Sequence, residues 1–431
     1  PPAGRIFMLI PAYDAAPPIA APFRFFLSMP LFGVLFGLAL LLVDPVMLQT
    51  RWNWPVLALT HLLTLGLLAQ PMLGALVQML PVVAGVSLPR PLWLARWSHG
   101  LLTAGSLSLV AGFWLMQPLG LQAAAVMLPL ALLPFALLAV RGLLRSSTGD
   151  ATTRMMLLAL LALLLTVLLG LLLLGHLGWG RGLDALRLTN LHGLWGGMGW
   201  VLGLVVGIAF TVVPMFQMTP RYPAQLEKTA LAAWSLLLLA LSAALWFLPE
   251  SAAPVTVMLL LPGSAGFAAV TLWLQRQSRR ASDVTLRFWM LAMLSLGVAA
   301  VLPLAAPWWP RAGLLAGALF LFGFAVSVVN GMLYKIVPFL VWLHLQRINQ
   351  RRFAIPNMKQ ILAETAQRRQ LWLHAAALLL LLQALAWPTR PGCVLAGVAV
   401  IAAQLWLGWN LLGAARLYRT TAARIRSAPP A

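Results

Sequence analysis

The chain has 431 residues, 62% of them hydrophobic and only 9% charged, with a mean hydropathy of +0.92. A soluble domain carries roughly 25% charged residues, so most of this surface must face lipid rather than water. The 29 Lys and Arg against 8 Asp and Glu give a net charge of +21, and the single cysteine, Cys393, excludes an intramolecular disulfide, a Cys-x-x-Cys site and a covalently attached c-type haem.

Residues 1–24 read as a short Pro/Ala-rich cytoplasmic arm without a cleavable secretory signal. A membrane domain over 25–415 and a basic cytoplasmic tail over 416–431 follow. Within the domain, apolar runs long enough to cross ~30 Å of hydrocarbon lie near 25–43, 55–80, 98–117, 121–140, 155–177, 188–215, 229–248, 254–275, 285–304, 312–337, 370–388 and 393–415. Twelve transmembrane helices are expected, with short connections such as Pro249-Glu250-Ser251 and no extramembrane domain. Counted by side, 23 of the 29 basic residues fall with the termini, five (Arg51, Arg181, Arg187, Arg311 and Arg390) fall opposite, and Lys335 lies within a span. The positive-inside rule therefore puts both termini in the cytoplasm, and the net charge reads as topology, with no nucleic acid as partner. Trp52, Trp54, Trp114, Trp179, Trp246, Trp308, Trp309 and Trp387 gather at the outer ends, as an interfacial belt does.

Three stretches repeat at the inner ends of spans 2, 6 and 10: Gly74-Ala-Leu-Val-Gln-Met-Leu-Pro81, Gly207-Ile-Ala-Phe-Thr-Val-Val-Pro214 and Gly331-Met-Leu-Tyr-Lys-Ile-Val-Pro338. Each has Gly seven residues before Pro, with a bulky residue at Val77, Phe210 or Tyr334 and a polar one next, at Gln78, Thr211 or Lys335. One repeat per four spans predicts three four-helix arcs.

Of the six histidines, His61, His176 and His192 fall in the outer half. His61 lies about seven residues into span 2 and His192 about five into span 6, so at 1.5 Å per residue they share a level to within ~3 Å. Buried imidazoles in lipid need partners, and imidazole is the common ligand for haem and copper, which makes His61 and His192 the leading ligand pair and His176 a candidate third. Helical steps from His192 give Gly196, Gly199, Gly203 and Gly207. That smooth face suits a flat macrocycle, and equally suits close helix packing. His99, His344 and His374, beside Trp97, Trp342 and Trp372, read as interfacial.

Twelve spans in three arcs, with histidines on spans 2 and 6, resemble subunit I of the haem-copper oxidases and nitric oxide reductases. The opening Phe23-Arg24-Phe25-Phe26-Leu27, a histidine early in span 2 and Leu80-Pro81 at its end are similar to the NnrS-type haem- and copper-containing membrane proteins. The resemblance implies a haem-copper-oxidase-like fold, a non-covalent b-type haem with or without copper, and chemistry on nitric oxide or oxygen. It also implies a bacterial-type inner membrane and a redox partner such as a quinol or cytochrome c, or other respiratory-complex subunits. Arg51, Arg181 and Arg187, near the outer ends, would then be partners for haem propionates. The pattern departs from the family at span 10, which lacks an outer histidine, and at span 7, which lacks a His-His pair. Both departures speak against a complete oxygen-reducing proton pump.

All eight carboxylates fall in loops or the arm, so no acidic residue within a span is available to carry protons. Lys335 and Tyr334, with Gln78 and Thr211, are expected to converge in the inner half as a hydrated proton path, unless Lys335 simply extends to the headgroups. Two other readings stand beside the haem protein: a twelve-span permease, which a six-span repeat would favour, and a non-catalytic, metal-free subunit or assembly factor.

Overall fold

The computed structural model describes residues 16–249, 253–279, 283–349 and 353–427. All regular structure among them is helical. Ten helices are long and apolar enough to cross a membrane: α1 (Ala20–Leu42), α2 (Trp54–Val83), α4 (Pro118–Leu144), α5 (Ala151–Trp179), α6 (Ala185–Gln217), α7 (Ala224–Phe247), α9 (Val284–Ala305), α10 (Ala312–Asn349), α11 (Glu364–Ala386) and α12 (Arg390–Ser427). Two further helices of 24 residues each, α3 (Pro91–Trp114) and α8 (Ala253–Arg276), occupy the remaining expected spans. α3 carries Arg96, Ser98, His99, Thr103, Ser106 and Ser108, which lower its hydropathy below that of its neighbours.

Local chemistry sets the ends. Proline opens α3 and α4, where its missing N–H costs nothing. Asp150, Asp184 and Asp283 cap α5, α6 and α9 by accepting from the backbone N–H of Thr153, Arg187 and Thr285. The domain edges differ from expectation. α1 starts at Ala20 rather than 25, and α12 runs on to Ser427, so residues 416–427 are helix rather than a separate tail. Residues 1–15 of the expected arm, and 428–431, lie outside the described residues. The first helix packs on the last: Gly37 and Gly397 face each other so closely that a Cβ on Gly397 would lie 2.7 Å from the Gly37 carbonyl oxygen.

Three helices are interrupted in one register. α2 is π-helical over Leu62–Ala69, α6 over Trp195–Leu202 and α10 over Leu319–Val326. Leu62, Trp195 and Leu319 each precede their repeat proline (Pro81, Pro214, Pro338) by nineteen positions, and Gly66, Gly199 and Gly323 each precede it by fifteen. The preceding helix packs a side chain on each glycine. Phe32 of α1 lies on Gly66, Ala162 of α5 on Gly199 and Ser295 of α9 on Gly323; one turn pair deeper, Phe25, Met155 and Phe288 lie on Gly74, Gly207 and Gly331. A Cβ on Gly199 would come within 2.7 Å of the Ala162 Cβ, and one on Gly207 within 2.6 Å of the Met155 Cβ, distances no side chain tolerates.

The packing side chains are seven residues apart, and the glycines that receive them are eight apart. A straight α-helix returns to the same face after about seven residues. The eighth is the residue that each π segment absorbs.

Candidate functional site

His61 ends the α-helical part of α2, immediately before its π segment, and its Nδ1 donates to the Leu57 carbonyl at 2.8 Å. His192 stands on α6 three residues before the second π segment, and its Nδ1 donates across to the Thr166 carbonyl of α5 at 3.0 Å. A carbonyl only accepts, so the proton of each neutral ring resides on Nδ1 and the lone pair on Nε2. The ring centroids are 6.3 Å apart with planes inclined by 28°. Phe113 of α3 also packs on His61, centroid to centroid 5.3 Å. Gly170 of α5 leaves room for the second ring, since a Cβ there would sit 3.2 Å from His192 Cε1.

This donor set can be tested against a metal. Backbone-anchored Nδ1–H groups that free Nε2 are the usual outer-shell arrangement of metal-bound histidine. Among the described residues no group of three or more His, Cys, Asp and Glu comes together. Two imidazoles do not complete a tetrahedral zinc site; His61 and His192 are the residues that would hold a haem iron or a copper ion, both of which take imidazole nitrogen.

The remaining predicted residues separate. Arg51 reaches the pair's outer edge: its Nη2 donates to Asn190 Oδ1 at 2.7 Å, two positions before His192, and its guanidinium lies 4.5 Å over the Trp52 ring. Arg187 is turned to Asp184 at 3.5 Å and to Trp246. His176 is not brought to the pair, since no group of three such residues forms among the described residues; its Nδ1 donates to the Arg181 carbonyl at 2.6 Å in the turn that ends its own helix. The glycine face is also reassigned. Gly196 lies against Thr166, Gly199 against Ala162, Gly207 against Met155 and Gly203 against the Trp234 indole of α7, so this face is filled by side chains of α5 and α7. It is a helix-packing surface.

The polar positions of the repeat do not converge. Thr211 bonds Thr152 of α5 at 2.9 Å, Lys335 bonds Asp283 at the start of α9 at 2.6 Å, and Tyr334 accepts from Asn410 of α12 at 2.8 Å. Gln78 is buried with neither amide atom partnered. Thr211 and Lys335 each reach toward the helix before their own, and the space between α2, α6 and α10 is lined by apolar groups instead.

The inner histidines are cross-links. His99 bonds Ser28 of α1 at 2.6 Å, and His344 holds the Pro17 carbonyl at 3.1 Å. His374, expected at the interface, is fully buried: it bonds Ser327 at 2.7 Å and stacks on Phe322. Sequence reasoning also missed Thr166, Gly170, Phe113 and Asn190. Only Gly170, a lone glycine in a leucine run, carried a readable signal.

No protein-family model and no curated protein matches this sequence.

Proposed function

We propose that this is a twelve-span protein of a bacterial-type inner membrane, with both termini cytoplasmic and its helices in three four-helix arcs, that holds a haem between His61 and His192. Copper is the second candidate for the same pair. The observation that carries the reading is the pairing of two imidazoles from different helices, each with Nδ1 tied to a backbone carbonyl and Nε2 left with its lone pair. When bound, a haem held by both imidazoles would supply electron exchange, and we read the protein's role as one in respiratory or nitric oxide metabolism. The residues' part is to hold the ion and, through Arg51, to set a positive charge at the outer edge where an anionic propionate would lie. A quinol or a c-type cytochrome would serve as electron donor.

The test is the visible spectrum of the purified protein, with pyridine haemochrome and metal analysis. One haem, or one copper, per chain that is lost in both His61→Ala and His192→Ala supports the reading. A colourless, copper-free protein overturns it. The filled glycine face favours one rival specifically, a metal-free subunit of a respiratory assembly in which the oxidase-like fold serves only for packing.

A further inference from the structure

The outward-facing stripes of α11 and α12 both end in arginine. On α12 the exposed side chains recur at Val398, Leu405, Trp409, Leu412 and Arg416, a spacing that keeps one face of a helix outward. α11, joined to it by residues 387–389 and packed along it, exposes Leu379, Trp372 and Arg369. Each stripe thus passes from aliphatic to cationic through a tryptophan, the residue that marks headgroup level in a membrane helix.

Both guanidiniums lie over indoles of α12. Arg369 Cζ is 5.6 Å from the centroid of the Trp406 ring and Arg416 Cζ 5.8 Å from that of Trp409. The two rings are three residues apart, neighbours on the helix surface, and Trp406 is itself fixed, its Nε1 donating to the Ala366 carbonyl of α11 at 3.0 Å. Two arginines elsewhere lie over indoles and have acceptors as well: Arg51 donates to Asn190, and Arg187 pairs with Asp184. Arg369 and Arg416 have no acceptor among the described residues, and the acid closest in sequence to Arg369, Glu364, is taken by Arg368 at 2.9 Å.

An arginine at a membrane boundary ordinarily extends into water. A guanidinium held over a ring instead keeps its N–H edge free to donate, and phosphate oxygens are the acceptors that suit that edge. The apolar stripes then select among phosphates. A free ion would use only the arginines, whereas a phospholipid lays its acyl chains against Leu379 and Leu405 while its headgroup meets them.

We propose that the groove between α11 and α12 binds the headgroup of an anionic phospholipid, with Arg369 and Arg416 as its donors. The site is separate from the histidine pair and goes beyond the reading above, so the two stand or fall independently.

The test is native mass spectrometry of the full chain, titrated with phosphatidylglycerol or with phosphatidylcholine of the same acyl chains. Wild type should take the first phosphatidylglycerol several-fold more tightly than phosphatidylcholine. Arg369→Gln and Arg416→Gln should each weaken phosphatidylglycerol binding about fivefold, the worth of one basic residue near an anionic lipid surface, and leave phosphatidylcholine within about twofold. Trp409→Leu, which keeps every charge, should weaken phosphatidylglycerol about twofold or more by releasing Arg416 from its ring. The double variant Arg424→Gln/Arg426→Gln removes two charges ~12–15 Å further along α12, beyond a Debye length of about 10 Å, and should match wild type. Equal affinity for the two lipids overturns the proposal, as does an equal loss in the Arg424/Arg426 variant, which would reduce the preference to diffuse charge. Displacement of the lipid by glycerol 3-phosphate, the headgroup without chains, would also overturn it, because the site would then be one for free phosphate compounds.

Discussion

Lys335 Nζ lies 2.6 Å from Asp283 Oδ2, so the one basic residue expected within a span core is tied to the residue that caps α9. Both side chains are largely buried, with 23% and 12% of their surface exposed. Burial alone would raise the Asp283 carboxyl; the hydrogen bonds from Lys335 and Thr285 outweigh it and hold the group below its ordinary value. The folded-state value is thus lower than the unfolded one. The stabilisation is present at neutral pH and is lost as pH falls from about 4 through the depressed value. Lys335→Met should cost about 1–3 kcal/mol, the worth of leaving the carboxylate without its donor, read as a lower melting temperature in detergent at pH 7. The difference from wild type should shrink at the acid end. Because the double variant Lys335→Met/Asp283→Asn leaves no unpaired charge, it should be less destabilised than the sum of the single changes; strict additivity would show that the pair is not coupled.

The histidine pair makes a selective prediction. His61→Ala and His192→Ala should each remove the visible spectrum, whereas His176→Ala, which forms no cluster with the pair, should leave it unchanged. Gly170→Val should resemble the ligand variants without touching a ligand, because its side chain would press on the His192 ring. Loss of the spectrum in His176→Ala with retention in His192→Ala would move the ligand set.

Much of this was legible in the chain and some was hidden for physical reasons. The spans could be read because lipid demands long apolar runs, and the Gly-to-Pro repeat because a glycine that admits a neighbouring side chain cannot be replaced cheaply. The second glycine of each unit, Gly66, Gly199 or Gly323, is as regular in position but lies eight residues from its mate, one more than two turns of an unbroken helix, so Gly66 and Gly323 escaped and Gly199 was visible only as part of the face below His192. His374 was misplaced by its neighbour. Trp372 is 66% exposed, and two residues further along a helix is about 200° around it, so the exposed indole and the fully buried imidazole share a sequence neighbourhood but not a face. Likewise, the polar positions of the repeat share a register without sharing a cavity, because Thr211 and Lys335 each spend a hydrogen bond on the helix before their own.

Orientation follows from charge. On the twelve-span reading of the sequence, 23 basic residues fall with the termini and five opposite, so reporter fusions placed after Arg426 and within the connection between α8 and α9 should both report the cytoplasm. An external reading at either would mean that α3 or α8, the two long helices outside the most apolar ten, does not cross.

The π segments allow a test that distinguishes helix geometry from composition. On α1, Phe25 and Phe32 are seven residues apart, about two turns of an unbroken helix, while their receiving glycines, Gly74 and Gly66, are eight apart on α2. Removing Ala69 brings the glycines to a spacing of seven, which a plain α-helix satisfies, so both contacts with α1 survive, and so does the orientation of His61 above them. Removing Met29 of α1 instead leaves the two phenylalanines six apart in a helix with no surplus to give up. That rotates one of them by about 100° off its glycine and into the wall of α2. The expected outcome is that the Ala69 deletion folds, with a melting temperature within a few degrees of wild type and the histidine-dependent spectrum retained. The Met29 deletion should fail to accumulate as folded protein. Equal failure of both would show that the π segment of α2 does more than absorb one residue.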